Sequence, residues 1–254
     1  MQIITEIKDS LLQIQINRPE KKNALTIEMY KDMTKALREA LENPSIRAVV
    51  FCGQPDIFSS GNDLQDFMKG VGVVEESAVL LFLKELSAFA KPIVASVAGP
   101  AIGIGTTMLL HCDLIYAAKN SRFQLPFVNL ALVPEAASSL ILPARIGYHR
   151  AAELLLLGEV FSADKALEYG LINGVVDNGE ELPTALEAAK KLAAKPPSAI
   201  RLSKMLLKQS TTEAIHQRID DEAVHFTQCL KSPEAAEAFK AFYEKRAPDF
   251  SKFN

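Results

Sequence analysis

The chain has 254 residues, 48% of them apolar and 23% charged, with a formal net charge of −3. This is a globular composition with enough material for one large core or two small domains. It leaves no basic footprint for nucleic acid, and no apolar run reaches the roughly 18 residues that a membrane-spanning helix needs. Cys52, Cys112 and Cys229 form no CxxC pair, and the four histidines have no ligand spacing. Reduced thiols and no metal are therefore expected. The opening Met1–Ser10 lacks the features of a secretory leader and the last residues are not a peroxisomal signal, so a cytoplasmic location is expected.

Leu12 to Ile16 alternates apolar and polar residues, the pattern of a half-buried strand, and Asn17-Arg18-Pro19 breaks it. From Thr26 to Asn43, Met29, Met33, Leu37 and Leu41 recur every fourth position. That spacing predicts a helix with Thr26 as N-cap and Pro44 just past its end. Ala48–Cys52, Pro92–Val97 and Leu114–Ala118 are continuous apolar runs suited to strands buried on both faces. Helical patterns near 76–90 and 104–112 lie between them, so the reading is an α/β body of βαβ units with a largely parallel sheet. After about residue 180 the character changes. Glu181–Ala194, Ala199–Lys208, Thr212–Leu230 and Pro233–Lys245 all read as amphipathic helices. They are too few to enclose a core of their own and should pack on the body or on another subunit.

Two glycine-bearing loops could hold a ligand. Phe58-Ser59-Ser60-Gly61-Asn62-Asp63-Leu64 follows a buried strand and precedes a helix. It is either a close-approach loop or a simple turn capped by Asp63. Ala98 to Gly105 leads from a strand into a helix, where unpaired amides and the helix dipole can receive a negative oxygen; close helix–strand packing is the plainer reading. The Gly99-xxx-Gly103-x-Gly105 spacing also matches the nucleotide loop of short-chain dehydrogenases. It lies too far along the chain, however, and no tyrosine is followed four residues later by lysine.

Taken in order, these segments resemble the crotonase (enoyl-CoA hydratase/isomerase) superfamily over essentially the whole chain. The matching pieces are Asn17–Leu25, Phe58–Leu64, Lys91–Ala95 with Gly99–Asp113, and Phe161–Ala166 with Gly170-Leu171-Ile172. The resemblance implies a crotonase-like α/β spiral of ββα units over residues 1–190. Residues 191–254 would form a C-terminal helical region that builds a homotrimer or a dimer of trimers. It implies an acyl-CoA ligand and no separate cofactor, since CoA is part of the substrate. It also implies an oxyanion hole made by the main-chain amides of Asn62 and Ile104. Lys22, Ala24, Ser60, Gly61, Asn62, Asp63, Leu64, Gly103, Ile104, Thr107 and Phe127 fall at its substrate-contacting positions. Lys21 and Lys22 either meet the CoA phosphates or face solvent.

Fold does not fix the reaction, so the carboxylates must. The family's hydratases carry two glutamates at the positions that Thr107 and Phe127 occupy here. Thr107 has no useful basicity near neutral pH, and Phe127 exchanges no proton. Glu135 instead falls at the position of the catalytic glutamate in the resembling Δ3,Δ2-enoyl-CoA isomerases. Without the resemblance it reads as a helix-start carboxylate behind Pro134. His111-Cys112-Asp113 reads as structural, Phe239 and Phe242 as core packing, and the stretch between Asp66 and Glu76 as a wall of the acyl pocket.

Overall fold

The computed structural model describes residues 1–69 and 77–253; the acyl-pocket wall expected between Asp66 and Glu76 falls mostly outside them. The elements run β1 (Ile3–Lys8), β2 (Leu11–Ile16), α1 (Ile27–Glu42), β3 (Ala48–Cys52), α2 (Leu64–Lys69), α3 (Ala78–Ala88), β4 (Ile93–Val97), β5 (Pro100–Ile102), α4 (Ile104–Thr107), β6 (Leu114–Ala118) and β7 (Arg122–Gln124). They continue through α5 (Ser138–Ile146), α6 (Tyr148–Ala152), β8 (Phe161–Ser162), α7 (Ala163–Glu168), β9 (Gly174–Val176), α8 (Glu181–Ala193), α9 (Pro197–Lys208), α10 (Thr212–Leu230) and α11 (Pro233–Glu244).

The main sheet has the order β1-β2-β3-β4-β6-β9; only the β1–β2 pair is antiparallel. A small second sheet joins β5, β7 and β8. Every residue of β3 and β4 is buried, because both faces of the sheet are covered. Val49, Phe51, Ile93 and Ala95 face the main core. Ala48, Val50 and Val94 face the other way, against Ala185 and Ala189 of α8. The first of the expected tail helices is therefore the outer layer of the body.

Helix α1 starts where expected, with the Thr26 hydroxyl accepting the Met29 N–H at 3.3 Å. Met29, Met33 and Leu37 are buried, but Leu41 is 44% exposed. Three steps of four residues rotate about 120° around a helix of 3.6 residues per turn, which carries Leu41 off the inner face. Tyr30, Thr34, Ala36 and Ala40 complete that face instead. The 104–112 segment is a single α turn that tightens into a 3-10 turn at Met108–His111.

In the tail, α10 lies on α3 and α5 and sends Ile215, Ile219 and Phe226 into the main core. Phe239 on α11 is buried as expected, whereas Phe242 is 60% exposed: on a helix the two are three residues apart, and only the Phe239 side meets the body. Helix α9 leaves Leu202, Met205, Leu206 and Leu207 exposed. Among the described residues, no helix is long and apolar enough to cross a membrane, and no cluster of three or more His, Cys, Asp or Glu side chains could hold a metal ion.

Candidate active site

β3 and β4 are parallel neighbours in register from Val49–Ile93 to Cys52–Ser96. The loops leaving their carboxyl ends therefore emerge side by side. The main chain stitches them together: the Ile102 N–H donates to Ser59 O at 2.9 Å, and the Phe58 and Ser59 N–H groups donate to Pro100 O at 3.1 and 3.0 Å. A Cβ on Gly61 would stand 3.1 Å from Ile102 O, and one on Gly105 would stand 2.9 Å from Ser59 O. Glycine is what lets the two segments approach so closely.

A third segment, residues 22–25, runs alongside 60–63. The Ser60 N–H donates to Lys22 O at 3.0 Å. Leu25 donates to Gly61 O and accepts from the Asp63 N–H, both at 2.8 Å. Leu25 thus spends both of its main-chain groups on the neighbours of Asn62, and the Asn62 N–H points the opposite way, away from Leu25. Gly103, at φ 56° and ψ −120°, is in a conformation essentially reserved for glycine and opens α4. Its own N–H bonds Gln124 O, and its carbonyl takes the N–H groups of Thr106 and Thr107. Among the described residues no protein acceptor is found for the N–H of Asn62 or of Ile104. Ile104 is fully buried with its side chain in the core, so its amide is the group it can offer. The Ile104 donor is buried, Asn62 is partly buried, and a donor left without a partner in such a place calls for a functional explanation. Two such donors at adjacent loop ends can receive a developing oxyanion.

Glu135 lies in the loop before α5 and is 8% exposed. Burial pushes its carboxyl up to about 8, and the nearby Glu222 carboxyl adds to the rise; a polar contact from the Asn62 side chain opposes it. Asn62 in turn accepts a hydrogen bond from the Tyr30 hydroxyl on α1. One residue thus offers an unpartnered amide from its main chain and touches the carboxyl with its side chain.

Several sequence assignments find their places here. Lys22, Ala24, Ser60, Gly61, Asn62, Asp63 and Leu64 are brought together with Gly103 and Ile104 by the stitching just described. Lys21 and Lys22 are exposed. Asp63 is occupied by the protein itself: its carboxylate takes the Arg18 guanidinium at 2.8 Å and the N–H groups of Gln65 and Asp66 at 3.1 Å, which caps α2. Its part is to shape the loop. Thr107 is fully buried and its hydroxyl has no protein partner, while Phe127 is 4% exposed and packs in the core. As expected, His111 and Asp113 are structural: the His111 imidazole, which burial pushes down to about 3, bonds Ala136 O, and Asp113 holds the Ile93 N–H and Lys204.

Sequence reasoning missed Asn23, Tyr30 and Glu222. Asn23 is fully buried, and its side-chain amide reaches the carbonyls of Ile16, Ile57 and Phe58, fastening the 22–25 segment to the start of the Phe58–Leu64 loop. The left-handed pair Lys22-Asn23 was a readable signal, since asparagine tolerates that region. Tyr30 and Glu222 sit inside ordinary helical patterns, so only the fold sets them apart.

The chain matches the family model for enoyl-CoA hydratase/isomerase over residues 6–253. It belongs to the enoyl-CoA hydratase/isomerase family, the crotonase superfamily, whose members act on acyl-CoA thioesters. Among its relatives it is 35% identical to enoyl-CoA delta isomerase 2 of Rattus norvegicus over 96% of this chain, spanning 64% of the rat protein's length. It is 31% identical to the 2,3-dehydroadipyl-CoA hydratase of Escherichia coli, covering 98% of both chains. An enoyl-CoA hydratase/isomerase from Pseudoalteromonas atlantica, 39% identical, superposes with a TM-score of 0.93 over 98% of this chain and all of that one.

Proposed function

We propose that this protein is an enoyl-CoA isomerase that shifts the double bond of a 3-enoyl-CoA into conjugation with its thioester, with Glu135 as the single acid–base residue. The observation that carries this reading is the environment of Glu135. It is a buried carboxyl raised to about 8, in contact with Asn62, whose unpaired N–H belongs to the oxyanion site. A base tuned near the working pH, set beside donors aimed at the carbonyl oxygen, suits proton abstraction next to a thioester.

The ionised carboxylate of Glu135 takes a proton from C2. The C2–H electron pair delocalises through the thioester as a dienolate, whose oxygen accepts the N–H groups of Asn62 and Ile104. The protonated carboxyl then returns the proton to C4, leaving the double bond between C2 and C3 and the base as it began. Hydration in this family's two-glutamate manner needs a second carboxylate, and Thr107 and Phe127 supply none. The rat isomerase relative supports the same choice, and the Escherichia coli hydratase relative supports the alternative of water addition. We further propose that the exposed leucines of α9 are covered by other copies of this chain in a trimer, which light scattering would test.

The test follows conjugated-thioester absorbance with a trans-3-enoyl-CoA and with crotonyl-CoA. Wild type should raise the absorbance of the first and leave the second nearly unchanged. Glu135→Gln should lose about 10²–10⁴-fold in turnover while binding acyl-CoA with unchanged affinity. Rapid loss of crotonyl-CoA absorbance would favour hydration, and an active Glu135→Gln variant would end the single-carboxylate mechanism.

A further inference from the structure

The loop that carries Glu135 ends in two consecutive left-handed alanines, Ala136 (φ 61°) and Ala137 (φ 57°). That conformation costs an L residue about 1–2 kcal/mol, so something outside the loop must hold it. Helix α5 begins immediately afterwards. Ala137 is its N-cap and has no side chain that can accept the free amides of the first turn.

The acceptor comes from far along the chain. Glu222, buried on α10, takes the Ala137 N–H at 2.6 Å, the Ser139 N–H at 3.0 Å and the Ser139 hydroxyl at 2.5 Å. Arg218, one turn earlier on α10, donates to the same Ser139 hydroxyl at 3.1 Å. On the other side the His111 ring bonds Ala136 O at 2.9 Å. The isomerase steps use neither Glu222 nor its proton. A buried carboxylate is costly to maintain, and a serine or aspartate at the cap would serve a merely structural turn.

We propose that Glu222 is the positioning residue for Glu135: it caps α5 from another helix, locks the Ala136–Ala137 turn that aims the base, and fixes a negative charge beside it. This rests on Glu135 being the base. The groups facing the pair are Arg218 on α10, Ser139 at the start of α5, and Tyr30 and Asn62 on the side of the hole. His111 is held neutral by burial and brings no charge. Burial raises the Glu222 carboxyl as well, but three donors and Arg218 oppose that rise, whereas Glu135 has only Asn62 to oppose its own and is raised further by Glu222, so of the two carboxyls Glu135 is the one that keeps the proton near neutral pH.

The docking of the C-terminal helices is thereby tied to the readiness of the base. The nearly isosteric Glu222→Gln removes the charge and keeps one acceptor oxygen. The Glu135 titration should then fall by about 1 unit or more from its wild-type midpoint. With trans-3-enoyl-CoA, kcat should fall about 3–30-fold while KM stays within about twofold, since a weaker, less well-aimed base affects the chemical step. Glu222→Ala should lose more in kcat through the missing cap; if it does not fold, Glu222→Gln decides alone.

The experiment is infrared titration of the carboxyl band in the free protein, with Glu135→Gln to assign it, alongside turnover. A lowered midpoint in Glu222→Gln with retained circular dichroism supports the proposal. An unchanged midpoint, or a kcat loss matched by an equal rise in KM, overturns it. A lowered midpoint in a protein whose wild type leaves 3-enoyl-CoA untouched supports the coupling and overturns only the isomerase reading.

Discussion

The loops proposed to form the oxyanion hole and the loop proposed to carry the base meet the same conformational demand in opposite ways. Both need residues at positive φ. The hole uses glycine, with Gly61 at φ 97° and Gly103 at φ 56°, and its shape is kept by main-chain hydrogen bonds between neighbouring loops. The base loop uses alanine at 131, 136 and 137, and its shape is kept by the side chains of His111 and Glu222 from distant elements. The difference follows from the group on offer. The loops that offer main-chain amides need close approach at Gly61 and a backbone conformation closed to other residues at Gly103, and glycine permits both. A carboxyl must be aimed and kept dry, and alanine leaves the loop fewer alternative shapes than glycine would.

The sharpest way to break this comparison is pH. The Glu135 carboxyl stands at about 8 in the fold against an ordinary 4.5. The native state therefore holds a proton that the unfolded chain has released, and stability should fall as pH rises from about 4.5 to about 8. Glu135→Gln should remove that slope and raise stability at pH 8 by about 2–5 kcal/mol in urea denaturation. A wild type equally stable at pH 5 and pH 8 would contradict the buried-base description. By the same logic wild-type kcat/KM should climb with pH, with its midpoint near 8 and its plateau above that, because only the ionised carboxylate abstracts a proton.

Next in size is Gly103→Ala. A Cβ there meets nothing within 4 Å, so any effect is conformational. We expect a loss of about 1–3 kcal/mol in stability and about 10–100-fold in kcat, as the Ile104 amide swings off the oxyanion. Near-normal turnover would mean that the Ile104 amide is not a hole donor.

The smallest effect should come from Ala137→Gly. Relief of left-handed strain, offset by the greater freedom of glycine in the unfolded chain, should leave stability unchanged or raised by up to about 1 kcal/mol. With Glu222 still capping α5, kcat should stay within about threefold. A large kcat loss with normal stability would show that alanine, and not the Glu222 cap, restrains the loop.

Much of the body was legible because its signals are local. The β3 and β4 runs, the Thr26 cap and the helical periodicity after residue 180 each depend on residues a few positions apart. The second small sheet was not legible, because β5, β7 and β8 are each two or three residues long and hold together only through pairing across the chain. Leu41 misled for a geometric reason: a repeat of four drifts around a helix of 3.6 residues per turn.

At the site, the sequence by itself determined the glycine loops, the hole amides as candidates, and Glu135 as the carboxyl in the place of interest. The tertiary structure decided the environment. It buried Glu135, set Asn62 between it and Tyr30, occupied Asp63 with Arg18, and brought Glu222 across from α10 to the turn after the base. A motif records which groups are present, whereas proton affinity and aim depend on solvent exclusion and on partners distant in sequence, which only the folded chain brings together.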